Sequence, residues 1–239
     1  MKKIIYLLLP LLLFSSCSEN ISTETVVANT KIKTRIQITD NPDTKELDDV
    51  SVFLYDKEGK TIAGRNIKIS INDTPLHLTG GYRQRYYHTK SKFQYYTDSI
   101  PTSKYYVINM VMEDSTNFEL ASYIPINKNK VKLNFITNNK KDYDELNWCV
   151  LEDINRMSYK ITRSQKNIKT NTFSDSVIQA TVKNKGMYKI NKSFFKSDSI
   201  FKINNKWISF KISKNGLLNS KLLPDSSISG SSSFLVSIN

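Results

Sequence analysis

The run Lys31-Ile32-Lys33-Thr34-Arg35-Ile36-Gln37-Ile38 places an apolar or β-branched residue at every second position, and this period recurs along most of the chain. Side chains of an extended strand point alternately to opposite faces, so the pattern makes one dry face and one wet face. Val50 to Tyr55 and Asn66 to Ile71 behave alike, the first stopping at Asp56-Lys57-Glu58-Gly59-Lys60 and the second at Asn72-Asp73-Thr74-Pro75. Lys104 to Met112 is apolar on both faces, as a central strand would be, and Phe118 to Ile126 and Lys130 to Thr137 follow. Helical periodicity is scarce. Beyond the charged stretch Asn138 to Glu145, short strands resume at Leu146 to Leu151, Met157 to Arg163, Ser176 to Val182, Gly186 to Ile190, Lys206 to Ser213 and Ser233 to Ile238. Short strands at intervals of about 8–12 residues indicate an all-β fold of antiparallel sandwiches. The expected layout is two tandem immunoglobulin-like or fibronectin-like β-sandwich domains, residues 31–138 and 146–239, joined by a linker at 139–145.

The N-terminus reads differently. Met1-Lys2-Lys3 precedes an apolar run from Ile4 to Phe14, which is shorter than the roughly 20 residues a membrane-spanning helix needs. The run ends in Phe14-Ser15-Ser16-Cys17 and turns polar at Ser18-Glu19-Asn20, the form of a secretory signal peptide. Its end resembles the lipobox of bacterial lipoproteins, although Phe14 and Ser16 depart from the commonest residues at their positions. By that resemblance Cys17 is lipidated, residues 1–16 are removed, and residues 17–30 tether the folded part to a membrane. An ordinary signal peptide with an incidental cysteine is the alternative.

Lys and Arg number 35 against 22 Asp and Glu, and removal of Lys2 and Lys3 with the signal leaves 33 against 22. Such a balance raises nucleic acid as a partner. Export argues against it, as does the spread of the cations along alternating strand faces, and no nucleic-acid partner is expected. With Cys17 acylated, Cys149 has no second cysteine to pair with, and its apolar neighbours Trp148, Val150 and Leu151 suggest a small buried side chain.

The order of lipobox, tether and two modules resembles the two-domain lipoproteins of Bacteroidota. The shared features are Val52 to Lys60 followed by Ile69-Ser70-Ile71-Asn72 in the first module. In the second they are Leu146-Asn147-Trp148, Gly186-Met187-Tyr188-Lys189-Ile190, Ser193 to Phe195 and Ser229 to Ser237. The resemblance implies a lipid-anchored protein of the cell envelope, on the outer membrane, with surface exposure preferred over the periplasmic face. Exported proteins of that group are O-glycosylated at Asp-Ser or Asp-Thr followed by a small or aliphatic residue or Thr. The matching positions are Ser99, Ser115, Ser176 and Ser199.

Chemistry is thinly represented. His77 and His88 lack metal-site spacing, no nucleophile elbow or phosphate loop is present, and Asp142, Asp144 and Glu145 read as a solvated linker beside Lys140 and Lys141. No enzymatic activity, cofactor or metal is expected. The strongest ligand-binding candidates lie in Tyr82 to Thr97, where five tyrosines interleave with basic residues. They are Arg83, Arg85, Tyr86, Tyr87, Tyr95 and Tyr96, with Thr89 to Lys92 read as a hairpin turn. Neighbouring strand residues face oppositely, so each tyrosine pair offers one ring to the core and one to solvent. Two functions remain open: a surface module that binds a glycan or protein through exposed aromatics, and a structural, assembly or adhesin-type subunit that docks through strand edges. The first expects two or three aromatics on a flat or concave face with polar neighbours; the second, an exposed strand edge and an apolar patch of several hundred Å2.

Overall fold

The computed structural model describes residues 21–40, 48–64, 66–85, 88–127, 130–154 and 156–238. Residues 1–16, read above as a signal peptide, and Cys17, Tyr86 and Tyr87 lie outside the described residues. Among the described residues the protein is all-β, with 57% in strands and almost no helix. The strands are β1 (Lys33–Asp40), β2 (Asp48–Tyr55), β3 (Lys68–Ile71), β4 (Thr74–Arg85), β5 (His88–Ile100), β6 (Tyr106–Val111), β7 (Asn117–Tyr123) and β8 (Asn134–Ile136). They continue with β9 (Tyr143–Asn147), β10 (Arg156–Asn167), β11 (Phe173–Val182), β12 (Met187–Asn191), β13 (Phe201–Asn215), β14 (Leu217–Leu218) and β15 (Ser227–Ser237).

Alternation works as read in β1, where Thr34, Ile36, Ile38 and Asp40 are buried while Arg35, Gln37 and Thr39 are exposed. Twelve strands form one mixed sheet in the order β11-β10-β13-β15-β1-β2-β5-β4-β3-β6-β7-β14, and a second sheet has the order β12-β9-β8. The large sheet folds over at β4, whose Thr74–Leu76 pairs with β3 while His77–Arg85 pairs with β5. The strands β3, β6 and β7 thereby lie over β1, β2 and β5. Between these layers Ile36, Ile38, Val52 and Leu54 meet Ile69, Ile71, Ile108 and Met110, all essentially dry. Full burial of each such side chain is worth roughly 1.5–3 kcal/mol.

A second core lies between the three-stranded sheet and the strands β10 and β13. Leu146, Trp148 and Ile190 pack there against Met157, Tyr159, Ile161, Ile208, Phe210 and Ile212. The final strand joins the two regions. β15 runs antiparallel to β13 and parallel to β1, giving Ile228 to the first core, while Ile238 just beyond it enters the second. Purely antiparallel pairing was expected, and this parallel pair corrects it. Parallel neighbours need a long crossover, and here almost the whole chain separates the two strands.

Three local readings change. The stretch 21–30, read as free tether, is docked from Ile21 onward. Ser22 N–H donates to Thr61 O at 2.8 Å, Glu113 N–H to Val26 O at 3.0 Å, and the Val26 side chain fills the first core. One valine at the right place outweighs a polar composition. The expected linker 139–145 contains the start of β9, where Asp144 is buried, ion-paired with Lys192 at 3.6 Å and accepting from Asn138 N–H at 3.1 Å. Cys149 is exposed rather than buried, because β9 ends at Asn147 and Trp148 takes the core position just before it.

Candidate functional site

The tyrosine stretch forms the β4–β5 hairpin, but its turn is not where the sequence placed it. Arg83 pairs in register with Lys90 and Arg85 with His88, so Thr89 to Lys92 is strand and not turn. Tyr95 and Tyr96 face oppositely, as a strand requires. Tyr95 is a core residue whose hydroxyl donates to Gly64 O at 3.0 Å, and burial, with the Glu113 charge second, pushes its pKa up to about 12. Tyr96 is half-buried, and its hydroxyl reaches Asp49 Oδ1 at 3.5 Å. Its pKa is raised by desolvation, then by the Asp49 and Asp98 charges. Of these two rings, only Tyr96 is within reach of a ligand.

The four serine positions also separate. Ser115 and Ser199 are exposed, Ser176 is half-buried on β11, and Ser99 lies in β5. The aspartates before Ser115 and Ser199 have structural employment of their own. Asp114 Oδ1 accepts from Thr116 N–H at 3.0 Å, and Asp198 Oδ1 from Ile200 and Phe201 N–H at 2.7 Å each. The Ala28 amide, which donates to Asp114 Oδ2 at 3.0 Å, and then the Thr116 amide hold Asp114 below the usual aspartate range, and the Phe201 and Ile200 amides do the same for Asp198. Short polar side chains that bond the backbone two residues on are turn formers in their own right.

The feature with the strongest unmet bonding capacity is β11. It is the terminal strand of the large sheet, and among the described residues no strand pairs with its outer side. Ten residues of extended backbone span about 33 Å, and each alternate N–H and C=O along that side is a ready partner for another strand. Soluble proteins blunt such edges with lysine, proline or a bulge. The sequence Phe-Ser-Asp-Ser-Val-Ile-Gln-Ala-Thr-Val contains no lysine and no proline, and its pairing with β10 is regular throughout. Phe173, Val177 and Ile178 are 64%, 47% and 39% exposed, so both faces of the strand carry apolar surface at its open edge.

Beneath this edge the second core stands open. Ala180 and Val182 are covered, but Ile178, which pairs with buried Ile161, is not, because the five-residue β12 leaves the start of β11 uncapped. The gap is a cleft of about 480 Å3 lined by Ile161, Arg163, Ile178, Tyr188, Lys189 and Phe194, among others. Tyr159 and Tyr188 bridge its inner end, hydroxyl to hydroxyl at 2.6 Å. Arg163 stands at its side, with Nη1 donating to Phe194 O at 2.8 Å and the guanidinium 5.0 Å from the Phe194 ring centre.

A larger cavity, about 570 Å3, lies near the junction of the two cores. It is lined by Ile124, Cys149 and Val150 with charges of both signs, Lys130, Lys132 and Lys214 against Glu152 and Asp153. Lys214 and Asp153 lie within ion-pairing distance of one another at 3.9 Å. Its charges are in part mutually compensated, whereas those at the β11 cleft are not. Spacing alone marks Ser176 to Val182 as strand and does not single out Arg163; the signal available in the sequence is the lysine-free run Phe173 to Val182 in a lysine-rich half. No protein-family model matches the chain, and no curated protein matches it.

Proposed function

We propose that the chain is a non-enzymatic lipoprotein of the cell envelope, held on the outer membrane through Cys17, that docks a protein partner through the β11 edge. In this reading the two cores belong to two β-sandwich units fused through β15, and the protein is an assembly or adhesin-type subunit. The observation that carries it is a long, regular edge strand without lysine or proline, with Asp175 as its one charge and apolar residues on both faces. Burial of Tyr95 removes one aromatic from the competing platform on the β4–β5 hairpin. The docked stretch 21–30 leaves only the few residues after Cys17 as tether, which would hold the fold close to the membrane surface.

Replacement of Val177 by Lys tests the docking role, since a charge on the edge opposes strand addition without touching either core. Detergent extracts of the envelope should give a complex for the native protein that is larger than the chain itself, and a free chain for the variant. Equal sizes would contradict the role. For anchoring, Cys17→Ala should abolish palmitate labelling and release the protein from membranes; a variant that stays membrane-bound and labels with palmitate would refute it.

A glycan-binding role has one specific support. The outer face of the same sheet holds a shallow cleft of about 490 Å3 lined by Arg156, Lys160 and Lys211 with Ser158, Gln179 and Ser209, and without a carboxylate. Retardation by an acidic polysaccharide in affinity electrophoresis, reduced by Lys160→Ala with Lys211→Ala, would favour it. Unaltered mobility would leave the edge as the functional surface.

A further inference from the structure

We infer that the cleft beneath β11 takes an extended strand bearing a carboxylate, which closes the open side of the second core and sets its acid on Arg163. The inference rests on the docking role above and adds the chemistry of the partner. Three observations converge on it.

The first is the state of Arg163. Nη1 is committed to Phe194 O, whereas Nε is buried and has no hydrogen-bond partner among the described residues. The edge of a guanidinium formed by Nε and Nη2 is one that receives a carboxylate with two parallel bonds. A buried donor without a partner costs on the order of 1–3 kcal/mol, a cost that a bound acceptor removes. Asp198 feels the Arg163 charge, yet both Ile200 and Phe201 amides occupy its Oδ1, and no ion pair joins the two residues.

The second is the charge around the opening. The cleft lining includes Arg163 and Lys189 and no carboxylate. Residues 139–239 hold 17 Lys and Arg against 8 Asp and Glu, whereas residues 18–138 hold 16 against 14. The excess lies in the half that carries the open edge, and it favours an acidic partner.

The third is shape. A strand added to β11 lies beside Ile178 and continues the large sheet past the place where the second layer stops. Its inward side chains reach Ile178 and Phe194, and its backbone meets the unpaired side of β11. An isolated acidic ligand would satisfy Arg163 but leave that backbone and Ile178 as they are. The strand satisfies all of them.

The probe is a fluorescein-labelled ten-residue peptide of alternating Val and Thr with one central Glu, beside a twin with Gln in its place. A third peptide keeps the Glu and is N-methylated at alternate residues, which blocks backbone pairing along one edge. Binding to the intact chain is read by fluorescence anisotropy. We expect the Glu peptide to bind about tenfold more tightly than the Gln twin, with the preference lost in Arg163→Gln. The N-methylated Glu peptide should bind weakly to the native protein, a comparison that needs no protein variant. Equal affinity for Glu and Gln twins, with weak binding of the methylated peptide, overturns the Arg163 assignment and leaves edge docking standing. A methylated peptide that binds as well as its parent overturns edge docking itself. Failure of all three peptides to bind overturns the inference.

Discussion

Tyr159 of β10 and Tyr188 of β12 join the two layers of the second core through hydroxyls 2.6 Å apart, with ring centres separated by 4.6 Å. Burial and the shared hydrogen bond raise the pKa of Tyr159 well above the usual tyrosine range. The pair closes the inner end of the cleft at the point where the apolar cover of β11 stops. Tyr159→Phe or Tyr188→Phe should each cost about 1–2 kcal/mol in urea unfolding, and the double variant should cost less than their sum. Strict additivity would show that the hydroxyls do not interact.

Gly230 of β15 faces Tyr123 of β7 so closely that an added Cβ would lie 2.0 Å from the ring. Ala at this position must displace a fully buried tyrosine or push β15 away from its two neighbours. Gly230→Ala is therefore expected to destabilise by about 3 kcal/mol, at the upper end for overpacking. Tyr123→Val in the same chain should recover part of the loss. Thermal melts of the single and double variants check both statements.

Asn184 binds the start of the segment after β9 by its whole amide. Its Oδ1 accepts from Trp148 Nε1 at 3.3 Å and Leu151 N–H at 3.4 Å, and its Nδ2 donates to Leu151 O. Removing it leaves a buried indole donor without its acceptor. Asn184→Ala should cost about 2 kcal/mol and change the emission of Trp148, measured in a Trp207→Phe background. An unchanged spectrum and midpoint would mean that the amide contributes nothing.

Alkaline pH should act through Tyr95. Its folded pKa is raised from 10 to about 12 by burial first and by Glu113 second. The stabilisation is complete below the unfolded value near 10 and is lost as pH rises through the folded value. Stability measured between pH 10 and pH 12 should fall less steeply in Tyr95→Phe than in the native chain. Equal slopes would remove Tyr95 from the alkaline transition.

Much of the fold is legible because strand alternation is a local property. Ile36 and Ile38 could be placed inside, and Arg35 and Gln37 outside, from spacing alone. What spacing does not carry is partnership between distant strands. Nothing local indicates that Ile228 completes the first core or that β15 runs parallel to β1, since both depend on contacts some 190 residues apart. The same limit explains Val26, a core position set in a mostly polar segment, and Cys149, which lies two residues past the strand that would have buried it.

The candidate site was legible only in part. The one-in, one-out rule for Tyr95 and Tyr96 follows from the pleat, but the turn between β4 and β5 was displaced because Thr89-Lys90-Ser91-Lys92 has turn-like composition. β11 could be marked as a strand, but not as an edge, because edge position is a property of the sheet. Arg163 gains its significance from Phe194, 31 residues away, and from the shortness of β12.

The central claim is that β11 is a docking edge, and site-specific photocrosslinking in intact cells tests it most directly. A photoreactive amino acid at Val177 samples the exposed edge, and the same residue at Leu235, on the outer face of the same sheet and 68% exposed, serves as control. The expected result is a discrete protein adduct from position 177 that is absent from position 235 and lost when Ile178→Lys is added. No adduct at 177, or one of equal yield at both positions, would contradict it.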